Sequence, residues 1–339
     1  METKGLSISQ FDNIRVVLAE PNADIRKTLK TCLHDHGFRS VLDTGNLSQV
    51  ASAVREGHVD LLIADTSLPE GDFNAYLSEL RHGKHGDNPF LVTITLVSSP
   101  SRSAVQAAID SGTDHVLAKP FQPDTMIDHV QALTHGRKRF VVTTDYIGPD
   151  RRSAPRAGGI EIPQIDVPNA LRQRMTGQMS ESVLRRHVDA AKATVNEQKV
   201  VRHAYQIGWL LERLLPELHA PTKSAAFEAH MKRLGEVARD ISVRIRSTRY
   251  AHITEMCMTL SNMVEEATAK GFDEHDVRLL KKVSVLVEAA FDPAREGQGA
   301  EYIRNPDAQR IMPDDAQRIM PDGDAQPDEG ARFPGAAVA

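Results

Sequence analysis

Long hydrophobic runs, a disulfide-forming set of cysteines and a strong excess of one charge are all missing from this 339-residue sequence. No run of about eighteen or more apolar residues occurs, so we expect no membrane-spanning helix. Residues 1–13 lack the apolar core of a signal peptide. The two cysteines, Cys32 and Cys257, lie far apart, which excludes a disulfide framework and favours a reducing cytoplasm. The net charge of -5 gives no argument for nucleic-acid binding.

Five short apolar segments alternate with helix-like segments between residues 12 and 136. The strand-like segments are IRVVLAE, RSVLD, VDLLIAD, PFLVTITLV and HVLAKP. Nearly continuous apolar strands are typical of a parallel sheet that is covered on both faces. Strict alternation with helices favours right-handed crossovers. We therefore predict an α/β domain with a doubly wound parallel sheet over residues 12–136.

Charged residues stand where three of these strands end. Glu20 follows the first strand, Asp65 ends the third, and Lys119 follows the fifth. Sites in doubly wound folds lie outside the carboxyl ends of the strands, so we expect these side chains to converge. Two carboxylates can hold Mg²⁺ through oxygen ligands. The ion and Lys119 can then neutralise a phosphoryl group while Asp65 attacks it in line.

The segments VVLAEPN, LLIADTSLPEGD and DSGTDHVLAKPF, at this spacing, resemble the receiver (CheY-like) domain of a bacterial two-component response regulator. The resemblance covers residues 12–136 and implies a flavodoxin-like (βα)5 fold. It implies that Asp65 is the phospho-acceptor and catalytic nucleophile. It also implies that Lys119 is the catalytic lysine that binds the phosphate.

The implied metal site departs from the family pattern at one position. The resemblance implies that Mg²⁺ is held by Glu20, Asp65 and the backbone carbonyl of Ser67. The family has a second acid after the first strand, where this sequence has Pro21. Proline offers no carboxylate, so we expect a weakened or altered magnesium site.

The implied phosphate site departs from the pattern at two further positions. Thr66, which follows the acceptor, is an implied phosphate-binding residue. The family's Thr or Ser at the end of the fourth strand corresponds to Val97, so a hydroxyl would have to come from Ser98, one residue later. Val116 stands where the family often has an aromatic residue. In the family the hydroxyl moves to the phosphate while the aromatic side chain turns inward, so this sequence lacks the aromatic part of that switch.

The rest of the chain has a different character. Residues 137–170 are rich in Pro, Gly and Arg, which predicts a partly ordered linker with a short strand in FVVTTDYI. Residues 171–293 predict an all-α helical bundle domain, which resembles no output domain. Residues 294–339 repeat DAQRIMPD and predict a disordered tail. The clearest helical stripe is Phe227, Met231, Leu234, Ala238, Ile241 and Ile245.

We expect a cytoplasmic response regulator of a phosphorelay. Asp65 would accept a phosphoryl group from a histidine kinase or a phosphotransfer protein. The helical domain would bind a protein partner or form a homodimer. No catalytic motif follows residue 137, so beyond the receiver's own phosphoryl chemistry we expect no enzymatic output.

Two alternatives remain open at this point. In the first, Pro21 and Val97 mark a degenerate, phosphate-independent receiver that acts as a scaffold. In the second, Arg246 and Arg249 in RIRSTRY belong to a nucleic-acid-binding regulator, although a solvated basic face is the favoured interpretation. Membranes are not expected as partners.

The two histidines of HDHG, at 34–37, have the spacing of a possible metal-binding pair. His34 and His36 in HDHG fall in the last turn of a predicted helix, where cations suit the helix dipole. No other metal ligand lies nearby in the sequence, so we do not expect a metal site there.

Overall fold

The structure, a computed structural model, describes residues 11–57, 59–99, 101–152, 162–177, 180–218, 224–270, 276–280 and 282. In its first part five strands alternate with five helices. These are β1 (Arg15–Ala19), α1 (Ala23–Asp35), β2 (Ser40–Thr44), α2 (Leu47–Arg55), β3 (Leu61–Asp65), α3 (Phe73–Arg81), β4 (Val92–Val97), α4 (Arg102–Asp110), β5 (His115–Ala118) and α5 (Pro123–His135).

The five strands form one parallel sheet in the order β2-β1-β3-β4-β5. This is the flavodoxin-like order, so the predicted doubly wound fold is confirmed. Helices α1 and α5 cover one face of the sheet, where Leu33 and Val130 are fully buried. Helices α2, α3 and α4 cover the other face. All residues of β3 and β4 are buried, as their continuous apolar sequences predict.

Short polar residues fix where the helices begin, directly after the loops at the carboxyl ends of the strands. Asn22 caps α1 by accepting from two backbone amides, and Asp72 does the same for α3. Asn46 and Ser101 each cap one further helix, α2 and α4. Such caps each stabilise a helix by about 1 kcal/mol. They hold the loops that precede them in defined positions.

The predicted linker contains a β-hairpin instead of a single short strand. Its strands, β6 (Phe140–Val142) and β7 (Ile147–Pro149), pair antiparallel. The hairpin lies against the loop before β5, where Gly112 has a φ of 86°, and a Cβ there would lie 2.5 Å from the carbonyl oxygen of Ile147. Arg151 donates to the carbonyls of Thr113 and Asp114 at 2.6 and 2.8 Å. The hairpin is therefore packed onto the receiver fold.

The helices that follow the hairpin include α6 (Ala170–Thr176), α7 (Glu181–Leu214), α8 (Ala225–Arg244) and α9 (Thr254–Lys270). Helix α8 packs against both α7 and α9, around a core that includes Leu210, Ile241 and Leu260. This confirms a helical region after the receiver fold. The final predicted helix, from about residue 273 to 291, falls mostly outside the described residues. The predicted tail, 294–339, lies entirely outside them.

Helix α7 belongs to two hydrophobic cores. Its first half packs with Phe90 of the receiver fold and Phe140 of the hairpin through Leu184, Val188, Ala191 and Val195. Its second half, which includes Ile207 and Leu210, belongs to the core shared with α8 and α9. One continuous helix of 34 residues thus joins the two halves of the protein. None of the described helices has both the length and the apolar composition that a membrane crossing requires.

Candidate functional site

Four polar side chains meet at the carboxyl edge of the sheet. Glu20 follows β1, Asp65 ends β3, Ser98 follows β4 and Lys119 follows β5. These strands are neighbours in the sheet and run parallel, so their carboxyl ends lie side by side. The structure therefore brings together the three residues that the fold argument selects, and it places beside them the hydroxyl of Ser98, which the resemblance had pointed to.

Lys119 joins the two acids. Its Nζ lies 2.5 Å from Glu20 Oε2 and 2.5 Å from Asp65 Oδ2. Both carboxylates are buried, at 1% and 0% exposure, while the Lys119 side chain is 13% exposed. One ammonium group faces two carboxylates, so these three groups leave a net negative charge in a poorly solvated place. A divalent cation is the kind of ligand that such a charge favours.

Both oxygens of Asp65 are held by hydrogen bonds. Oδ1 accepts from the Ser67 amide at 2.7 Å and from the Ser67 hydroxyl. Oδ2 accepts from Lys119 and from the Ser98 hydroxyl, the latter at 2.8 Å. Four donors thus fix the orientation of one buried carboxylate.

The same contacts keep Asp65 and Lys119 charged. Burial alone would raise the pKa of Asp65, but hydrogen bonds from Lys119, Ser67 and Ser98 outweigh it and lower that pKa. Burial alone would lower the pKa of Lys119, but the hydrogen bonds and charges of Asp65 and Glu20 raise it. Near neutral pH the site therefore contains a carboxylate that can act as a nucleophile and an ammonium that can stabilise anionic oxygens.

The other residues that the sequence placed near Asp65 occupy distinct positions. Val97 is 1% exposed and packs with α4, and its carbonyl accepts from the Lys119 amide at 2.9 Å. The hydroxyl at this edge therefore comes from the next residue, Ser98. Thr66 follows Asp65 directly, and its amide donates to the Leu96 carbonyl at 3.0 Å. Val116 is buried in the same cluster as Val97.

Two features of the site were missed by sequence reasoning. The Ser67 hydroxyl contacts the Asp65 carboxylate, whereas the sequence pointed only to the Ser67 carbonyl. The backbone N–H of Asn22 donates to Glu20 Oε1 at 2.9 Å, which orients the Glu20 carboxylate. A serine or asparagine two residues after a buried acid was the available signal, because such spacing lets the backbone turn back onto the carboxylate.

The oxygens that would hold Mg²⁺ are present on three residues. Glu20 and Asp65 provide two buried carboxylates, and Ser67 follows within the same turn. Pro21 is exposed and brings no carboxylate. The donor set is therefore chemically suited to Mg²⁺ but contains one acid fewer than the family pattern. Since Mg²⁺ usually keeps several water ligands, two carboxylates and a carbonyl are a workable set.

The strained residue of this region lies in the loop after β3. Among the described residues, Glu70 is the one non-glycine residue with positive φ, at 73°. A backbone of this kind costs on the order of 1 kcal/mol and is found preferentially in functional loops. The loop's Pro69 carbonyl accepts from the Leu47 amide at 3.2 Å, which ties it to the start of α2.

Comparisons with known proteins agree with this fold. A family model described as the response regulator receiver domain matches residues 16–131. A probable chemotaxis protein CheY of Rhizobium etli is 25% identical over 126 residues, which is 37% of this chain and 96% of that protein. The KDP operon transcriptional regulatory protein KdpE of Escherichia coli is 31% identical over 107 residues, which is 31% of this chain and 44% of KdpE.

Among solved structures, the chemotaxis response regulator CheY4 of Vibrio cholerae is 20% identical, with a TM-score of 0.32, and the match covers 35% of this chain and 97% of CheY4. These matches each cover about a third of the chain. The match to the family model and the order of the parallel sheet show that residues 16–131 form a receiver domain.

Proposed function

We propose that this receiver domain accepts a phosphoryl group on Asp65, in a cytoplasmic phosphorelay, from a histidine kinase or a phosphotransfer protein. Receiver domains interact with such donors in general. The observation that carries the proposal is the arrangement at Asp65 itself. A buried carboxylate is held ionised and oriented by Lys119, Ser98 and Ser67, at the edge of the sheet where ligands bind.

The chemistry follows from these contacts. A carboxylate oxygen of Asp65 attacks the phosphorus of a phosphohistidine, a P–O bond forms, the P–N bond breaks, and the imidazole leaves with its electron pair. Lys119 and Ser98 both donate to Oδ2 and sit where they can transfer their hydrogen bonds to phosphoryl oxygens. This preorganised positive charge is the kind of electrostatic stabilisation that phosphoryl transfer requires.

Glu20, Asp65 and the Ser67 carbonyl are the residues that would hold Mg²⁺. The bound ion would neutralise negative charge on the transferred phosphoryl group. When Lys119 turns toward the phosphoryl group, Glu20 loses its ammonium partner. Its carboxylate is then available as a metal ligand. Because Pro21 supplies no second acid, we expect a high magnesium requirement.

The test is mass spectrometry of the full chain after incubation with acetyl phosphate and Mg²⁺. We expect the wild type to gain one phosphoryl group and Asp65→Asn to gain none. Asp72→Asn is the matched control, because Asp72 is an exposed acid in the same connection and asparagine caps a helix as well as aspartate does. Absence of the gain in wild type, together with no binding of beryllofluoride, would replace this proposal by the phosphate-independent scaffold.

We infer that the helical half carries the output through contacts with a protein partner or with a second copy. Helix α7 supports this, since it leaves the receiver core and enters the helical core without a break. The nucleic-acid alternative gains no support from the described residues. Arg246 contacts the Met258 sulfur at 3.3 Å, and Arg249 donates to the Tyr250 hydroxyl at 2.7 Å.

A further inference from the structure

A second cluster of potential ligands lies away from the phospho-acceptor. Cys32 lies in the last turns of α1, His36 caps the end of the same helix, and Asp124 lies in the first turn of α5. One ligand atom from each of these residues lies within 4.8 Å of the other two. Sequence reasoning rejected a metal site at HDHG because no further ligand was nearby. The fold supplies one from a helix that is remote in sequence.

The distances are close to those around a metal ion. Cys32 Sγ lies 3.8 Å from Asp124 Oδ1, and His36 Nε2 lies 4.0 Å from the same oxygen. Ligand atoms around tetrahedral Zn²⁺ lie about 3.4–3.6 Å apart, as follows from bond lengths of about 2.0–2.3 Å. For these two pairs of atoms the excess is roughly half an ångström, and the third pair lies within 4.8 Å. Asp124 is 82% exposed and has room to rotate inward by that amount.

The histidine is held in the form that a metal needs. His36 Nδ1 lies 2.9 Å from the Cys32 carbonyl oxygen, which can only accept, so Nδ1 carries the proton in that contact. The lone pair is then on Nε2, the nitrogen that faces Asp124. A backbone carbonyl that orients the second nitrogen is the usual support of a metal-binding histidine. Cys32 is anchored as well, because it packs against the receiver core beside α5.

We propose that Cys32, His36 and Asp124 bind a zinc-like divalent cation, which joins the end of α1 to the start of α5. A thiolate, an imidazole and a carboxylate together suit Zn²⁺, whereas Mg²⁺ prefers oxygen ligands alone. The site is thus chemically distinct from the acceptor site. On binding, the Cys32 thiol releases its proton to solvent and the sulfur donates its electron pair to the metal. Water completes the coordination.

The experiment is a Co²⁺ titration of the reduced full-length protein, followed by displacement with Zn²⁺. A cobalt–thiolate bond gives a charge-transfer absorption that the oxygen ligands of the acceptor site cannot produce. We expect one equivalent of Co²⁺ to generate this absorption and Zn²⁺ to abolish it. Cys32→Ser should remove it. Removing a single supporting group costs about 10–100-fold in affinity, so His36→Gln and Asp124→Asn should each weaken binding at least tenfold.

Two matched controls keep the outcome clear. Cys257→Ser removes the other cysteine, and His34→Gln removes a histidine from the same helix turn. Neither should change the absorption or the affinity, and circular dichroism should show every variant folded. Absorption that survives in Cys32→Ser, or that is lost in Cys257→Ser, would overturn the site. Wild-type affinity in Asp124→Asn would also overturn it, since binding would then need only the two residues of α1.

Discussion

Replacing Lys199 with methionine tests how a buried ammonium group sets the pH dependence of stability. Lys199 lies in the middle of α7, is 1% exposed, and donates to the carbonyls of Thr143 and Thr144 at 3.0 and 2.5 Å. Its third contact is His82 Nε2, at 3.3 Å. Burial lowers the pKa of Lys199 to about 7. The same group thus touches the receiver, the hairpin and the helical half.

Charged residues around Lys199 largely offset one another. Asp240 and Asp145 raise its pKa, while Arg244 and Arg233 lower it. The nearby histidines are neutral in the folded state, because burial lowers the pKa of His82 to about 3 and that of His203 to about 4. Burial is therefore the main cause of the shift at Lys199.

The direction and size of the pH effect on stability follow from the different pKa values of Lys199 in the folded and unfolded states. Below pH 7 both folded and unfolded states hold a protonated lysine, so the folded state bears the full cost of burying the charge. Between pH about 7 and the ordinary value of 10.5, the unfolded state binds more protons, so the free energy of unfolding rises with pH. The slope is about 1.4 kcal/mol per pH unit, or about 3 kcal/mol over two units.

The assay is urea unfolding at several pH values in this window, followed by the fluorescence of Trp209, the single tryptophan, which packs against the helical core. Lys199→Met should lose the slope that the wild type shows. The variant also leaves the Thr143 and Thr144 carbonyls without this donor, which costs about 1–3 kcal/mol each but does not depend on pH. Lys232→Met, at an exposed position of α8, should keep the wild-type slope. Equal slopes in wild type and Lys199→Met would refute the reasoning.

Two further changes test the Asp65 site and the ion pairs of Asp114. Pro21→Asp adds the missing carboxylate at an exposed position before the cap of α1. Phosphorylation by acetyl phosphate should then reach half its maximal rate at roughly tenfold less Mg²⁺. An unchanged magnesium requirement would contradict the proposed role of this position. Asp114→Asn leaves the buried guanidinium groups of Arg81 and Arg137 without their carboxylate. Thermal unfolding should show that the free energy of unfolding falls by about 3–5 kcal/mol. A fall of less than about 1 kcal/mol would rule out this role of the ion pairs.

The parts of this protein that could be predicted from sequence are those encoded by local pattern. The β3 and β4 sequences are continuously apolar, and this alone indicates strands inside a covered parallel sheet. Strand ends then locate Glu20, Asp65 and Lys119, since the fold forces parallel carboxyl ends together. Neither inference needs a contact between residues that are distant in the chain.

The parts that escaped prediction depend on long-range contacts or on exact register. Whether Val97 or Ser98 reaches the site depends on where β4 ends, and the structure ends it at Val97. Asp114 pairs with guanidinium groups from α3 and from the segment after α5, and both groups lie over the Phe140 ring of the hairpin. A sequence shows such charges but not their convergence. Asp124 could not be assigned to the histidines of HDHG for the same reason, because it is remote from them in the sequence.

The arrangement of β4 and β5 suggests how events at Asp65 reach α7. Ser98 and Lys119 follow the carboxyl ends of these strands and donate to Asp65. At their other ends, Phe90 packs against α7, and Asp114 pairs with two arginines whose guanidinium groups lie over the Phe140 ring of the hairpin. Strand β4 therefore runs from the Asp65 site to the packing against α7, and β5 runs from the same site to the arginines beside the hairpin. A change in the hydrogen bonds of Ser98 and Lys119 should alter hydrogen exchange in the first half of α7 more than in α9, because only the former packs on the receiver.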